Sequence, residues 1–159
     1  RTLPPLPPSL TCLCCWENQL TALPEPLPKL YTLSCASNDL RRLPALPETL
    51  CGLDCSDQDS GMLDGLPELP AQLVSLRCRN VGLVSLPALP VSLFELYCDE
   101  NSLQSLPRLP DSLQKLHCAY NRIKSLPALP KSLRKLACGK NRLKSLPPLP
   151  KTLKTKLLW

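Results

Sequence analysis

The sequence predicts an elongated, β-rich solenoid in which short parallel strands stack on one another and little or no helix forms. Three observations support this fold class. A Leu-Pro pair recurs along the chain, and six of the seven intervals between repeat starts are 20 residues long. Twenty of the 159 residues are proline, and only 4% are aromatic. Such a composition buries many similar aliphatic side chains, as a repeat does, rather than the varied side chains of a globular core.

The repeat divides the chain into seven full units and a partial eighth, which we assign to one domain over residues 1–159. The unit at 126–145 reads LPALPKSLRKLACGKNRLKS, and the general form is L-P-x-L-P-x-S-L-x-x-L-x-C-x-x-N-x-L-x-S. A period of 20 residues lies in the range of leucine-rich repeats. The units start at Leu3, Leu23, Leu43, Leu66, Leu86, Leu106 and Leu126, and the partial unit at Leu146.

Within each unit, the segment L-x-x-L-x-C predicts one short strand. Leu136 and Cys138 alternate with Lys135 and Ala137, so the two apolar side chains share one face of the strand. We expect that face to form the core and the other to line a concave sheet of parallel strands. The strands are expected around Leu13, Leu33, Leu53, Leu76, Leu96, Leu116 and Leu136.

The L-P-x-L-P segment predicts an extended, polyproline-like convex side. Each proline lacks an N–H and biases the preceding residue toward extended geometry, which disfavours a helix. The prolines also interrupt every leucine stretch, so no run of 18 apolar residues predicts a membrane-spanning helix.

An asparagine column follows the strands, where the chain turns inward. An amide side chain both donates and accepts, which suits backbone groups buried in a turn. The column contains Asn18, Asn38, Asn101, Asn121 and Asn141. Repeats three and four depart from it: Gln58 and Val81 occupy the column, Asn80 lies one residue early, and three extra residues fall within 58–62. We interpret this insertion as a tolerated loop, with a hinge or contact loop as the alternative.

Seven of the ten cysteines occupy one repeat position. A free thiol behaves as a small buried hydrophobe. Stacked strands hold neighbouring Cβ atoms about 4.8 Å apart, which is longer than the roughly 3.8 Å of a relaxed disulfide. We therefore predict buried, free thiols in a reducing compartment. The seven are Cys15, Cys35, Cys55, Cys78, Cys98, Cys118 and Cys138.

A four-cysteine zinc site is suggested by Cys12, Cys14, Cys15 and Cys35, but their orientations argue against it. Cys12 and Cys14 are expected on the concave face and the other two in the core, so they do not converge on one tetrahedral ion. No metal, cofactor or small-molecule substrate is predicted. Nucleophilic catalysis is not expected either, because burial raises a thiol pKa and the single histidine, His117, faces outward.

Charge is distributed unevenly along the chain, whose net charge is +6. Residues 1–110 contain 7 basic and 12 acidic residues, a net charge of −5. Residues 111–159 contain 12 basic residues and one acidic residue, Asp111, a net charge of +11. The basic end suggests affinity for nucleic acid or an anionic membrane as one alternative function.

The repeat string closely resembles the bacterial leucine-rich-repeat effectors of the YopM and IpaH class, as in LPALPVSLFELYCDENSLQS and LPRLPDSLQKLHCAYNRIKS. The resemblance covers nearly the whole chain. It implies secretion into the cytoplasm or nucleus of a host cell, a role in virulence and binding of host proteins; the alternative location is the bacterial cytoplasm. IpaH members add a C-terminal ubiquitin-ligase domain, so a second alternative is the substrate-recognition half of a larger ligase.

The chain departs from that class at both ends. Residues 151–159 are too few for a ligase domain, and no helical cap precedes Leu3. Together with the start at Arg1, this leads us to expect a fragment or a processed product, without terminal caps. The triplet Cys55-Ser56-Asp57 matches the ligases' Cys-x-Asp motif, but Cys55 belongs to the inward cysteine column, so we interpret the match as a coincidence.

The predicted function is therefore non-catalytic protein binding through the concave face. Aromatic and arginine side chains dominate protein interfaces, and the register places such residues outward. The predicted binding residues are Trp16, Tyr31, Arg77, Arg79, Phe94, Glu95, Tyr97, Asp99, Lys115, His117, Tyr120, Arg134, Lys135 and Lys140.

Overall fold

A computed structural model describes residues 1–58 and 62–154, and it forms a parallel β-solenoid. Each repeat contributes one three-residue strand, and the seven strands pair in chain order into a single parallel sheet. The fold-class prediction is confirmed. The strands are β1 Cys12–Cys14, β2 Thr32–Ser34, β3 Gly52–Asp54, β4 Ser75–Arg77, β5 Glu95–Tyr97, β6 Lys115–His117 and β7 Lys135–Ala137.

The register of the sheet stacks equivalent residues of every repeat. Leu76 pairs with Leu53 on one side and with Leu96 on the other, even though an insertion precedes β4. Because side chains alternate along a strand, this register puts the strand leucines and the following cysteines on one face. Leu76, Leu96 and Cys98 are fully buried. The core is therefore a stack of leucine and cysteine columns.

Each strand is followed by a turn whose backbone is left-handed at one position. The φ angles there lie between 50° and 57°. A non-glycine residue in this region costs roughly 1–2 kcal/mol, so its recurrence shows that the turn is imposed by the surrounding repeat. The seven residues are Glu17, Ser37, Asp57, Asn80, Glu100, Tyr120 and Lys140.

The asparagine column holds these turns together. The Asn121 amide nitrogen donates to the carbonyl oxygens of Cys98, Cys118 and Ala119 at 3.0–3.2 Å. Its amide oxygen accepts from the backbone N–H of Leu103 at 2.9 Å. One buried side chain thus bridges successive repeats.

Gln58 continues the column where the sequence departs from asparagine. It donates to the carbonyl oxygens of Cys35, Cys55 and Ser56 and accepts from Leu40 N–H. In repeat four Val81 is buried instead, and its backbone carbonyl accepts the N–H of Leu63 at 2.8 Å. Residues 59–61 of the insertion lie outside the described residues, so its interpretation as a loop or hinge stays a prediction.

The convex side is made of Leu-Pro segments and turns. In most repeats the second proline carbonyl accepts the N–H of the leucine three residues later, as between Pro110 and Leu113 at 3.1 Å. The serine of the repeat bonds back to the preceding repeat: Ser112 Oγ donates to the Val91 and Leu93 carbonyls at 2.7 Å.

The described residues contain no helix of the length and hydrophobicity that crossing a membrane requires.

Candidate functional site

A stack of three side chains crosses the middle of the concave face. Arg77, Tyr97 and His117 end neighbouring strands and are register partners. The Arg77 guanidinium carbon lies 4.8 Å from the centroid of the Tyr97 ring. The Tyr97 and His117 rings lie 4.7 Å apart, tilted by 41°. These distances are those of cation–π and tilted aromatic contacts, so the three side chains order one another before any partner binds.

Two ion pairs flank the stack. Lys115 Nζ donates to Glu95 Oε1 across β5 and β6, and this hydrogen bond raises the pKa of Lys115. Arg79 pairs with Glu100 at 2.6 Å in the turns after β4 and β5. The exposed Arg79–Glu100 pair contributes about 0–1 kcal/mol to stability. The Lys115–Glu95 pair is less exposed. The effect of the two pairs is to hold four charged groups in fixed places beside the aromatic stack.

Asp99 has a structural role. Its Oδ1 accepts the backbone N–H of Ala119 at 2.9 Å, linking the turns after β5 and β6. Asp54 accepts Ser56 N–H in the same way within its own turn. An aspartate that caps a turn is less free to change partners on binding, so Asp99 is a weaker interface candidate than its neighbours.

The other predicted binding residues lie outside the core and are not members of the stack. Phe94 is half-buried just before β5, and Tyr120, 57% exposed, lies in the turn after β6. Trp16 is 53% exposed and Tyr31 56% exposed, in repeats one and two. With strands about 4.8 Å apart, β1 lies roughly 19 Å from β5. The remaining three, Arg134, Lys135 and Lys140, are exposed in repeat seven.

One exposed apolar residue beside this set was missed. Val74 is 42% exposed, and its carbonyl accepts the Phe94 N–H at 2.8 Å. Val74 and Phe94 are the same position of successive repeats, as is Tyr31. Aligning the repeats could have identified Val74. Valine, however, is not among the residue types that are enriched at protein interfaces.

The buried cysteines are unsuited to catalysis. No disulfide joins any of the ten cysteines in the structure, and the seven column cysteines are buried as predicted. Burial raises the pKa of Cys78 to about 12, and it also raises the pKa values of Cys55 and Cys98 well above the ordinary value. A thiol nucleophile needs the opposite shift. Cys55, at 0% exposure, therefore lacks the properties of a catalytic cysteine despite the Cys-x-Asp sequence.

The four cysteines considered for zinc divide between the two faces. Cys12 and Cys14 are exposed, whereas Cys15 and Cys35 are buried. Across the described residues, no three His, Cys, Asp or Glu side chains converge as metal ligands.

A depression of about 490 Å³ lies on the convex side, lined mainly by leucine, proline and alanine with Glu48 and Glu68. None of the predicted binding residues lines it.

The repeats of this chain are similar to repeats of known proteins. Residues 111–151 match the family model described as Leucine Rich repeats (2 copies). Comparison with curated protein sequences gives no match. Among solved structures, YopM from Yersinia enterocolitica WA-314 matches 99% of this chain at 38% identity and a TM-score of 0.89. A leucine-rich effector protein YopM from Yersinia pestis matches 99% at 37% identity and a TM-score of 0.91.

A Shigella effector leucine-rich-repeat domain matches 75% of the chain at 38% identity and a TM-score of 0.71. The chain spans only part of each of these proteins: 39% and 44% of the two YopM chains and 53% of the Shigella chain. The similarity therefore concerns the repeat region, and it indicates no catalytic family.

Proposed function

Because the repeats of this chain belong to the bacterial leucine-rich-repeat effector family, we propose that the chain is a non-catalytic scaffold that binds a host protein on its concave face. By the same resemblance it acts after secretion, in the cytoplasm or nucleus of a host cell. A scaffold suits a surface that offers ordered side chains and, among the described residues, no cluster of three or more metal-ligating side chains.

The observation that supports this proposal most is the Arg77–Tyr97–His117 stack. Tyrosine and arginine are enriched among interface residues that contribute most to affinity. Here they are held in place by 4.7 and 4.8 Å contacts with each other, while their surroundings leave them partly exposed. A partner meeting this surface loses little side-chain entropy on binding, since the rings are already ordered.

The charges around the stack define the partner's chemistry. The Glu100 carboxylate lies beside Arg79 of the turn after β4, and the Glu95 carboxylate beside Lys115 of β6. Exposed Lys135 and Lys140 follow in repeat seven. The proposed partner therefore offers an apolar or aromatic group to the stack and an acidic segment toward β7. The outlying basic residues, including Arg134, would act mainly on association rate and salt dependence.

A test combines binding and stability on the same variants. A host protein captured with the native chain under reducing conditions is titrated against Tyr97→Ala combined with Tyr120→Ala. Truncating a central tyrosine typically costs about 2 kcal/mol, or about 30-fold in Kd. The melting temperature should change little, because both side chains lie outside the core. Val91→Ala, which truncates an 84% exposed side chain just after a Leu-Pro segment of the convex side, is the control and should bind normally.

Two outcomes oppose the proposal. A collapse of the melting temperature in the double variant would mean that the tyrosines are structural. Unchanged affinity in the double variant would move the site elsewhere on the chain, and the region around residues 58–62 would be tested next.

A second candidate, binding of nucleic acid or an anionic membrane, is favoured by one observation. Arg122 and Lys124 flank the buried Ile123 on one edge of the solenoid, and Arg142 and Lys144 take the same positions one repeat later. All four are exposed, and no ion pair joins them to an acidic group within the described residues. Binding of duplex DNA or anionic vesicles that weakens steeply with salt, and that is lost on reversing these charges, would support it.

A further inference from the structure

Two exposed thiols stand side by side on the first strand. Cys12 and Cys14 begin and end β1, with Leu13 between them facing the core. Their sulfur atoms are 3.8 Å apart, and both side chains are exposed. The Thr32 hydroxyl, on β2 opposite Cys12, donates to the Cys12 sulfur at 3.0 Å. The pair is therefore accessible and held in a defined geometry.

The sulfur separation matches one edge of a metal–thiolate tetrahedron. Zinc binds thiolates at about 2.3 Å in tetrahedral geometry, so two sulfurs on one zinc ion lie about 3.8 Å apart. Both sulfurs project from the same side of the strand, because residues i and i+2 share a face. An ion can thus enter from the concave side and bond both sulfurs without a change in the backbone.

A disulfide fits this pair less well. In a strand, residues i and i+2 lie about 6.6 Å apart, and their Cβ atoms project in parallel, whereas a relaxed disulfide brings the Cβ atoms to about 3.8 Å. Closing the bond would require bending β1 away from β2, with which it is paired over all three residues. The rigid strand therefore favours two separate sulfurs over a bridge.

From this geometry we infer that Cys12 and Cys14 form a two-thiolate site for a thiophilic, tetrahedral metal ion, with Zn²⁺ as the fitting member of that class. Binding replaces the two thiol protons with two Zn–S bonds and releases both protons to solvent. Thr32 is a positioning residue, because its hydroxyl orients the Cys12 sulfur from outside the coordination shell. In the described part of the chain no third ligand reaches the pair. Two coordination positions thus stay open to water or to a donor from a bound molecule.

The test uses the full chain, reduced with a phosphine, and Co²⁺ or Zn²⁺ alone as the probe. Titration with Co²⁺ should give one ion per chain, a thiolate-to-cobalt charge-transfer band in the near ultraviolet and the visible bands of tetrahedral cobalt. Zn²⁺ should displace the cobalt stoichiometrically. Cys12→Ser and Cys14→Ser should each abolish the charge-transfer band. Thr32→Val should weaken binding by roughly 10-fold while keeping the band, as loss of an outer-shell partner does.

The matched control is Cys51→Ser, which removes a partly exposed thiol whose sulfur donates instead to the Thr49 carbonyl. It should bind Co²⁺ like the native chain. A second measurement needs no variant: Zn²⁺ should slow alkylation of Cys12 and Cys14, located by mass spectrometry, and leave Cys51 unaffected. Absence of the band up to millimolar Co²⁺, its persistence in the two serine variants, or a lack of zinc protection would each overturn the assignment.

Discussion

The residue after each strand shows how strongly the repeat constrains a single backbone position. Tyr120, Lys140 and Glu100 all have a left-handed backbone, although none of them is glycine or asparagine, the residue types that tolerate it best. The conformation is therefore set by hydrogen bonding between turns, as between Tyr120 N–H and Gly139 carbonyl at 2.9 Å. This left-handed backbone conformation directs the Tyr120 side chain outward, beside the concave face.

At this position glycine should be more stable than alanine. Tyr120→Gly should exceed Tyr120→Ala by about 1 kcal/mol in free energy of unfolding, because a left-handed backbone costs a residue with a Cβ roughly 1–2 kcal/mol. At Tyr97, on the extended strand β5, the order should reverse, with alanine better by about 0.5–1 kcal/mol. Urea denaturation of the four variants measures both differences. The same order at both positions would mean that the left-handed turn is not maintained in solution.

The buried thiols make stability sensitive to alkaline pH. Burial raises the pKa of Cys78 from an ordinary value near 9 to about 12, and the pKa values of Cys98 and Cys118 also rise. Below about pH 9 the folded and unfolded chains both keep these protons, and the full stability is present. Above pH 9 the unfolded chain loses them first. Stability therefore falls as pH rises from 9 toward 12, by up to about 1.4 kcal/mol per pH unit for each buried thiol.

We expect Cys98→Ala to flatten this pH dependence. The variant is less stable than the native chain at pH 8, because a buried group is removed. It should nevertheless lose less stability than the native chain as the pH rises from 8 to 10.5, by at most about 1.4 kcal/mol per pH unit, because the buried thiol that keeps its proton in the folded chain is absent. Denaturant titrations at the two pH values give the difference. Parallel losses in both chains would show that Cys98 is not protected from ionisation.

At the scale of one repeat, the asparagine after each strand adds stability beyond that of the three-residue strand itself. Asn121 is buried and makes four hydrogen bonds, two of them to the preceding repeat. Asn18 occupies the same position in repeat one but is exposed, and its side chain makes only two hydrogen bonds, to the Cys15 and Trp16 carbonyls. The same residue type thus has two environments in one molecule.

Replacing these two asparagines by alanine should therefore have unequal effects. Asn121→Ala leaves buried backbone groups without partners and should cost about 3 kcal/mol, because each unsatisfied group costs roughly 1–3 kcal/mol. Asn18→Ala should cost about 1 kcal/mol or less, since water replaces the lost bonds. Thermal or urea unfolding of both variants measures this. Equal losses would mean that the column acts locally in each turn and does not couple repeats. Gln58→Asn keeps an amide in the column and serves as a conservative control.

For the molecule as a whole, each strand in the described residues contacts only the neighbouring strands, so stability should vary along the chain. Strand β1 pairs with β2 alone among the described strands, whereas β5 pairs on both sides. The amides of Cys15 and Cys98 make equivalent bonds to the next repeat, at 2.8 Å each. Both cysteines are buried, and they lie at different places along the solenoid, which makes them a matched pair.

Native-state hydrogen exchange should separate these two amides. Cys98 N–H should exchange at least about 10-fold more slowly than Cys15 N–H, because opening a central repeat breaks two interfaces and opening the first breaks one. Equal protection of the two would indicate that this chain unfolds as one cooperative unit, in contrast to the expected nearest-neighbour behaviour.

The sequence alone determined the repeat, the strand positions, the inward leucines and cysteines and the outward position of the fourteen candidate residues. It could do so because a strict period of 20 residues superimposes every repeat on the others, and alternation along a strand then assigns each side chain to a face. The tertiary structure decided what a period cannot show. It matched Arg77 with Tyr97 across two repeats, gave Gln58 the role of an asparagine and placed the Cys12 and Cys14 sulfurs 3.8 Å apart. These features depend on rotamers and on contacts between neighbouring strands, where residues distant in the chain meet.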